Sequence, residues 1–225
     1  MFVDTHVHTT CSADGRIEPK RVPGLARAQG LDAVVVSDHG TIRGGIEVRR
    51  AAHEADVTLL VVVAAEILTG EGEIQGLFLT EEVADGLTPE ETIERIRAQG
   101  GLVCIPHPFD RYRTSALDRD ALERVADRID AVEALNARNL RAADDRAAAR
   151  WAQARGIPVL AGSDAHLPSE LGRVRTWMPA FTDAESFRVA LPGARVEGHR
   201  SSPLVHVPTV LGKRTARLRR RLNGE

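Results

Sequence analysis

Five histidines lie in short segments where apolar runs of the chain end, and each stands close to a carboxylate or a proline. They are His6 and His8 in Val-Asp-Thr-His-Val-His, His39 in Val-Ser-Asp-His-Gly, His107 in Ile-Pro-His-Pro and His166 in Gly-Ser-Asp-Ala-His. Imidazole nitrogens and carboxylate oxygens are common ligands of divalent transition metals. A set of such groups at one end of a sheet therefore indicates a metal centre.

Carboxylates in the same segments extend this set. Side chains two positions apart on a strand point the same way, so His6 and His8 can face one interior together. Asp14 follows in a Ser-Ala-Asp-Gly loop, where an ordinary turn aspartate is the other interpretation. Glu66 ends an apolar run, where a buried carboxylate is unfavourable unless it is bound or paired. Asp164 stands two residues before the last of the five histidines and repeats the first spacing.

Alternating strand and helix signals position these groups. The runs 34–36 and 60–63 are apolar throughout, which fits strands covered on both faces. A threonine, a proline and a glutamate at 88, 89 and 91 form the start signal of a helix. About seven strand–helix units in this length predict an α/β fold of barrel size with parallel pairing. The predicted strands are 3–8, 33–37, 58–65, 74–79, 102–105, 129–135 and 158–161, and the predicted helices are 19–29, 45–54, 88–100, 117–128 and 141–155.

The composition narrows the class of protein. A chain of 225 residues suits one domain, and its net charge of −2 favours neither nucleic-acid nor membrane binding. The longest apolar stretch, 57–65, is too short to cross a bilayer. The spacing of the two cysteines does not indicate a disulfide framework. The first residues begin a predicted strand, and no signal peptide is visible before it. We therefore expect a cytoplasmic protein.

As an ordered set, these segments resemble those of the polymerase and histidinol phosphatase (PHP) superfamily of metal-dependent phosphoesterases. The resemblance runs from Val3 to about His166. It implies a distorted seven-stranded (β/α) barrel with two or three divalent metals in a cleft at the strand ends, and Glu66 matches the carboxylate that usually bridges two of them. By position, the ligand pattern of the superfamily falls on His6, His8, Asp14, His39, Glu66, His107, Asp164 and His166.

One position departs from that pattern. Several members of the superfamily carry a histidine in the short strand after the motif glutamate, where this chain has Glu73. Glu73 could replace that ligand with oxygen, or it could be a surface residue that leaves a site with fewer ligands. The mixture of imidazole and carboxylate suits manganese, zinc or iron. The histidines, Glu66 and Asp164 would then act in catalysis through the bound metals.

The leading prediction is a metal-dependent phosphoesterase that hydrolyses a phosphate monoester or a nucleotide with a metal-activated water. Arginines at the predicted mouth are candidates for phosphate binding, although many arginines of the chain are simply solvated. These candidates are Arg43, Arg111 and Arg138, with Arg113 beside them. Three alternatives stay open: an exonuclease-type phosphodiesterase on nucleic acid, a C–N hydrolase of the amidohydrolase kind, and a metal-bound protein without catalysis. Many amidohydrolases bridge their metals through a carboxylated lysine, but the only lysines here are Lys20 and Lys213.

The predicted domain organisation is a PHP-type domain over residues 1–200 and a basic segment over 201–225. Lysine and arginine crowd positions 213–221, with leucines at near-helical spacing. A helix packed on the same domain, with its arginines in water, is the preferred interpretation. Contact with nucleic acid is the other, so the expected partners are a small phosphorylated substrate and, in that second case, a nucleic acid.

Overall fold

The computed structural model describes residues 1–202, so the predictions for the basic cluster at 213–221 lie outside the described residues. Within residues 1–202, nine strands form one sheet, and six α-helices accompany it. The strands are β1 Phe2–Val7, β2 Ala33–His39, β3 Leu60–Thr69, β4 Gly72–Leu77, β5 Leu102–Ile105, β6 Ala131–Asn136, β7 Val159–Gly162, β8 Val174–Trp177 and β9 Arg195–Gly198. The helices are α1 Val22–Ala28, α2 Arg43–Glu54, α3 Pro89–Ala98, α4 Arg119–Arg124, α5 Ala142–Gln153 and α6 Ala184–Ala190.

The first seven strands stand in chain order around a nearly closed barrel. β1, β2 and β3 pair in parallel, as do β5, β6 and β7, whereas β4 is antiparallel to both of its neighbours. A parallel bridge between Val7 and Ala165 brings the end of the series back to β1, and the amide of His8 donates to the carbonyl of Ala165 at 2.9 Å. The predicted α/β barrel class is confirmed.

The sheet has more strands than predicted. β8 pairs antiparallel with β1, and β9 pairs antiparallel with β8. Both strands have only four residues, and β9 is largely exposed, so neither carries the apolar run that marks a buried strand. The seven strands predicted from apolar runs are therefore the barrel, and the hairpin of β8 and β9 is an addition to it.

The position of Glu66 also differs from the prediction. The strand expected over 58–65 continues to Thr69, because β3 and β4 form an antiparallel ladder that holds this part of the chain extended. Glu66 therefore lies inside a strand, with His39 as its neighbour in β2 and Gln75 as its neighbour in β4. This register places the carboxylate between two other strands of the barrel.

An apolar cluster fills the barrel at the amino ends of its parallel strands. All seven barrel strands contribute to it, with Val3, Leu102 and Ala131 among the residues at or near the strand starts. Phe181 and Phe187 belong to the same cluster, and their rings pack edge to face on each other, with centroids 4.7 Å apart. Polar residues collect at the opposite end, where the parallel strands finish. None of the helices in residues 1–202 is both long enough and apolar enough to span a bilayer.

Candidate metal centre

The nine predicted metal ligands meet at the carboxyl ends of the parallel strands. Six of the seven barrel strands, or the loops directly after them, supply these side chains, so the barrel collects groups that are far apart in the chain. Eight of the nine residues are buried, and His39 is partly exposed. By element they are His6 in β1, His8 and Asp14 after it, His39 in β2, Glu66 in β3, Glu73 in β4, His107 after β5, and Asp164 and His166 after β7.

Glu66 stands at the centre of the group. Its Oε2 atom lies 3.5 Å from His6 Nε2, 3.4 Å from His8 Nε2 and 3.2 Å from His39 Nδ1. Its Oε1 atom contacts His107 Nε2 at 2.8 Å. Oε2 is buried and has no hydrogen-bond donor within the described part of the chain. A carboxylate oxygen that faces three imidazole nitrogens without a donor is suited to a shared cation.

Asp164 divides its two oxygens between different partners. Oδ1 lies 3.3 Å from His8 Nε2 and 3.4 Å from His166 Nδ1, and it too lacks a hydrogen-bond donor among residues 1–202. Oδ2 accepts from the Arg113 guanidinium at 2.6 Å and from the Asn136 amide at 3.3 Å. One oxygen is therefore oriented by donors while the other points into the histidine cluster.

The structure places both Asp14 and Glu73 in the cluster. Asp14 Oδ2 lies 3.2 Å from His166 Nε2 and 3.6 Å from His39 Nε2. Glu73 is 5 % exposed, and its oxygens lie 3.6 Å from His39 Nδ1 and 3.7 Å from His107 Nε2. The position of Glu73 is that of a ligand candidate, and the surface interpretation of this residue was wrong.

The spacing of these atoms fits divalent ions. Metal bonds of about 2.0–2.3 Å separate neighbouring ligand atoms by roughly 3–3.7 Å, which covers most of the nitrogen–oxygen distances above. Four overlapping groups offer ligand atoms that all lie within 4.8 Å of one another. They are His6, His8 and Asp164; His6, Glu66 and His107; His39, Glu66 and Glu73; and His8, His39 and His166. Because the groups share members, neighbouring ions would share ligands.

The electrostatics of the cluster also favour cations. Burial acts to raise the pKa of Glu66, but the neighbouring histidines, His6 foremost, lower it well below its usual range. Burial likewise acts to raise the pKa of Asp164, but Arg113 and His6 lower it well below the usual range. Burial and nearby imidazolium groups lower the pKa of His8 well below its usual value. At neutral pH Glu66 and Asp164 are therefore ionised, and His8 is neutral, with a lone pair on one ring nitrogen.

Two of the candidate ligands have an unusual backbone. His107 has φ of 33° and Asp164 has φ of 52°, in the left-handed region that non-glycine residues rarely adopt. His107 is held there partly by its amide, which donates to Glu133 Oε2 at 2.9 Å. Such conformations persist where surrounding structure enforces them, and they are frequent at functional sites.

Glu133, in β6, is a buried member of the site that was not predicted. Its Oε1 atom accepts from His6 Nδ1 at 3.1 Å, and its Oε2 atom accepts from the His107 amide and from Asn136 Nδ2 at 2.9 and 2.8 Å. This carboxylate holds the proton of His6 on Nδ1 and turns Nε2 towards Glu66. The available signal was a glutamate inside an otherwise apolar strand.

Of the four candidate arginines, one bonds to a carboxylate of the cluster. The other three are exposed or lie against other carboxylates. Arg43 is exposed at the start of α2, and Arg111 lies 3.4 Å from Asp144 through its Nε atom. Arg138 is 4 % exposed, and its Nε lies 3.6 Å from Glu170 Oε1. Arg113 is the one that bonds to Asp164. A role in substrate binding for Arg43, Arg111 and Arg138 stays a prediction.

Comparison with known proteins shows the family of this chain. The PHP domain model matches residues 4–136, and the PHP-associated model matches residues 144–192. The first match covers more than half of the chain, so the protein belongs to the PHP family. The uncharacterized protein MJ1587 of Methanocaldococcus jannaschii is 40 % identical over 148 residues, which are 61 % of this chain and 82 % of that protein.

Two solved structures share the fold. A two-domain protein from Bacteroides vulgatus, described as containing a predicted PHP-like metal-dependent phosphoesterase, superposes with a TM-score of 0.72 at 19 % identity. The match covers 88 % of this chain and 65 % of that one, so this chain spans less than two thirds of its length. An amidohydrolase from Chromobacterium violaceum, with bound sulfate and no metal, gives a TM-score of 0.57 at 19 % identity, over 75 % of this chain and 88 % of that one. At these identities the likeness concerns the fold alone.

Proposed function

We propose that the protein is a metal-dependent phosphoesterase that hydrolyses a phosphate monoester. The observation that carries the proposal is the pair of buried carboxylate oxygens, on Glu66 and Asp164, that face imidazole nitrogens without a hydrogen-bond donor among residues 1–202. An arginine is bonded to the second of these carboxylates. A cation site next to a guanidinium suits the binding of a phosphate, which carries several negative charges.

The ligand set would hold two or three divalent ions. Bound there, such ions supply a water that is nucleophilic near neutral pH and positive charge for the phosphoryl oxygens. Imidazole suits iron and zinc, while carboxylate suits manganese. Glu73 adds an oxygen where several members of the superfamily have an imidazole nitrogen, and we propose that it shifts the preference towards manganese or iron(II).

Arg113 is the residue that we expect to bind the phosphate. Its guanidinium is held by Asp164 Oδ2 at 2.6 Å and lies 3.6 Å from Asp110 Oδ2, so it is oriented before a substrate arrives. Its side chain is 19 % exposed and that of His39 is 29 % exposed, whereas the other candidate ligands are almost fully buried. Solvent therefore reaches the cluster beside these two residues, and a substrate would enter there.

A C–N hydrolase is a weaker alternative, although one structural neighbour is described as an amidohydrolase. The form with a carboxylated lysine requires a lysine between the metals. In the described part of the chain the single lysine is Lys20, whose exposed side chain pairs with Glu18. Arg113 at the entrance also favours an anionic substrate over a neutral amide. Cleavage of a phosphodiester is a further alternative. The experiment below distinguishes it from cleavage of a monoester.

The test is a substrate panel on the purified protein after loading with manganese, iron(II) or zinc. We expect a phosphate monoester to be hydrolysed, a phosphodiester to react more slowly, and an N-acyl amide to be left intact. EDTA should abolish the activity, and added manganese should restore it. Phosphatase activity in protein shown to be free of metal would overturn the proposal, and hydrolysis of the amide alone would establish the alternative.

A further inference from the structure

The buried hydroxyl of Ser12 touches two of the candidate metal ligands. Ser12 lies in the loop after β1, between His8 and Asp14, and it is 4 % exposed. Its Oγ atom donates to Asp38 Oδ1 at 2.7 Å and accepts from the amide of His39 at 2.9 Å. The same oxygen lies 3.3 Å from His8 Nδ1. The hydroxyl therefore connects two candidate ligands to Asp38, which is not one of them.

Asp38 acts as a hydrogen-bond acceptor at both of its oxygens. It is fully buried near the end of β2. Besides the bond from Ser12, its Oδ1 atom accepts from the amide of Thr9 at 2.7 Å, and its Oδ2 atom accepts from Thr9 Oγ1 at 2.7 Å. Thr9 Oγ1 in turn accepts from the amide of Cys11 at 3.1 Å, so its own proton is directed to Asp38. With both oxygens supplied by donors, Asp38 takes the proton of the Ser12 hydroxyl as well.

Helix α2 confines Asp38 from the other side. Gly44, in the first turn of this helix, lies so close that a Cβ atom there would collide with Asp38 Oδ2 and with Thr9 Oγ1. Burial raises the pKa of Asp38, while its three hydrogen bonds and the positive end of the helix favour the ionised form. The carboxylate is thus fixed in place between the helix and the loop after β1.

The bonds of the Ser12 hydroxyl determine which nitrogen of His8 carries the proton. A hydroxyl group has one proton to donate and two lone pairs that accept. The proton of Ser12 goes to Asp38, and one lone pair takes the amide of His39. The remaining lone pair faces His8 Nδ1, so only a protonated Nδ1 can bond there. With the proton on Nε2 instead, two lone pairs would face each other.

We propose that Ser12 is a positioning residue that keeps the proton of His8 on Nδ1 and leaves Nε2 free for a metal. His8 Nε2 lies 3.4 Å from Glu66 Oε2 and 3.3 Å from Asp164 Oδ1. These oxygens have no hydrogen-bond donor among residues 1–202, so they attract the proton of His8 towards Nε2. Ser12 opposes this transfer. The inference rests on the proposed function only because it treats the cluster as a metal centre.

Ser12→Ala tests the inference through the ring of His8. Nitrogen-15 NMR of histidine-labelled protein in EDTA shows which ring nitrogen is protonated, and His8→Gln identifies the signals. We expect the proton on Nδ1 in the wild type and a transfer to Nε2 in Ser12→Ala. A metal must then displace this proton, so the affinity for manganese should fall by about 10- to 100-fold in a calorimetric titration.

Asp38→Asn is the conservative variant. The amide oxygen can stay where the Thr9 amide and the Ser12 hydroxyl donate, and the amide nitrogen can donate to Thr9 Oγ1 in place of Oδ2. The Ser12 proton then remains engaged, and the proton of His8 should stay on Nδ1. A transfer as large as in Ser12→Ala would show that the charge of Asp38 sets the tautomer, which would overturn the proposal.

Ser37→Ala is the matched control for the loss of a buried hydroxyl. Ser37 is fully buried in β2, and its Oγ atom accepts from Gln75 Nε2 at 2.9 Å. This variant should keep the His8 tautomer and the affinity for manganese, even where urea denaturation shows that it and Ser12→Ala lose similar stability. A proton on His8 Nε2 in the wild type, or an unchanged tautomer and affinity in Ser12→Ala, would overturn the proposal.

These measurements do not depend on the hydrolysis of any ester. A protein that shows the expected tautomers and affinities but cleaves no phosphate would lose the proposed function and keep the role of Ser12. A phosphatase whose manganese affinity is the same in Ser12→Ala would keep the function and lose that role.

Discussion

Asp164 shows at the residue scale how one carboxylate serves two purposes. Oδ1 faces the histidines, while Oδ2 accepts from Arg113 and Asn136. The residue keeps a left-handed backbone, with φ of 52°, which aims the side chain into the cluster. One oxygen of Asp164 is therefore available to a cation, and the other is held by donors.

Asp164→Asn tests this arrangement with almost no change in volume. The amide removes one negative charge and offers one oxygen, so we expect at least one metal to be lost and turnover to fall by orders of magnitude. Metal content by mass spectrometry and kcat on a phosphate monoester measure the two effects. Asp120→Asn, at an exposed position of α4, is the control and should behave as wild type. Full metal content together with normal turnover in Asp164→Asn would contradict the assignment.

A substitution of Glu133 tests whether this carboxylate orients the candidate ligands His6 and His107. In Glu133→Gln the amide nitrogen would face either the His6 Nδ1 proton or the His107 and Asn136 donors, because both oxygens of Glu133 now accept. We expect metal affinity to fall by about 10- to 100-fold. Metal titration gives the affinity, and the 15N shifts of the His6 ring report whether the proton stays on Nδ1. Glu94→Gln, at an exposed position of α3, is the control, and an unchanged affinity in Glu133→Gln would refute the role.

At the scale of elements, the site depends on how closely three strands approach one another. β7 ends at Gly162, where a Cβ atom would collide with Glu133 Oε1 of β6 and with the His6 side chain of β1. The residue after it, Ser163, donates through its backbone to Asp4 of β1 at 2.9 Å. A residue without a side chain is thus required where the barrel closes.

Gly162→Ala should therefore disturb the site as well as the fold. Overpacking of this kind costs about 1–3 kcal/mol, and the displaced atoms belong to Glu133 and His6. We expect a lower free energy of unfolding by urea denaturation and weaker metal binding in the same variant. Gly24→Ala, in α1 with open space around it, should be neutral or stabilising by about 0.5–1 kcal/mol. Equal stability of the two variants would show that the closure is looser than the structure indicates.

At the scale of the whole molecule, the barrel carries an apolar half and a charged half. The apolar cluster at the amino ends of the strands stabilises the fold, while the other end buries Asp14, Glu66, Glu73 and Asp164 close together. Negative charges that are buried close together disfavour the folded state unless cations are present. Metal binding should consequently contribute to stability.

Removal of metal tests this coupling. An ion present at 100 times its Kd stabilises the native state by about 2.7 kcal/mol, which corresponds to roughly 5–10 °C in Tm for a domain of this size. Calorimetry in EDTA and in manganese should show at least such a difference. In Asp164→Asn the difference should shrink, since the same ions bind less tightly. A Tm that is the same in EDTA and in manganese would contradict metal binding in the barrel.

The sequence alone was sufficient for what depends on short-range chemistry. Strand and helix periods follow from backbone geometry, and the buried parallel strands are apolar throughout, so the order of the barrel elements could be predicted. The His-x-His spacing of His6 and His8 required only that a strand alternates its faces. Parallel strands finish at the same edge, so the predicted ligands could be expected to meet there.

The tertiary structure alone decided which further groups join them. Glu133 contacts His6 across 127 positions of the chain, and Arg113 contacts Asp164 across 51, so neither pair leaves a local signal. Whether Glu73 belonged to the site depended on β4 running antiparallel beside β3, which turns its carboxylate towards His39 and His107. Such contacts are set by strand register and barrel closure, which arise from packing over the whole chain and not from the pattern of neighbouring residues.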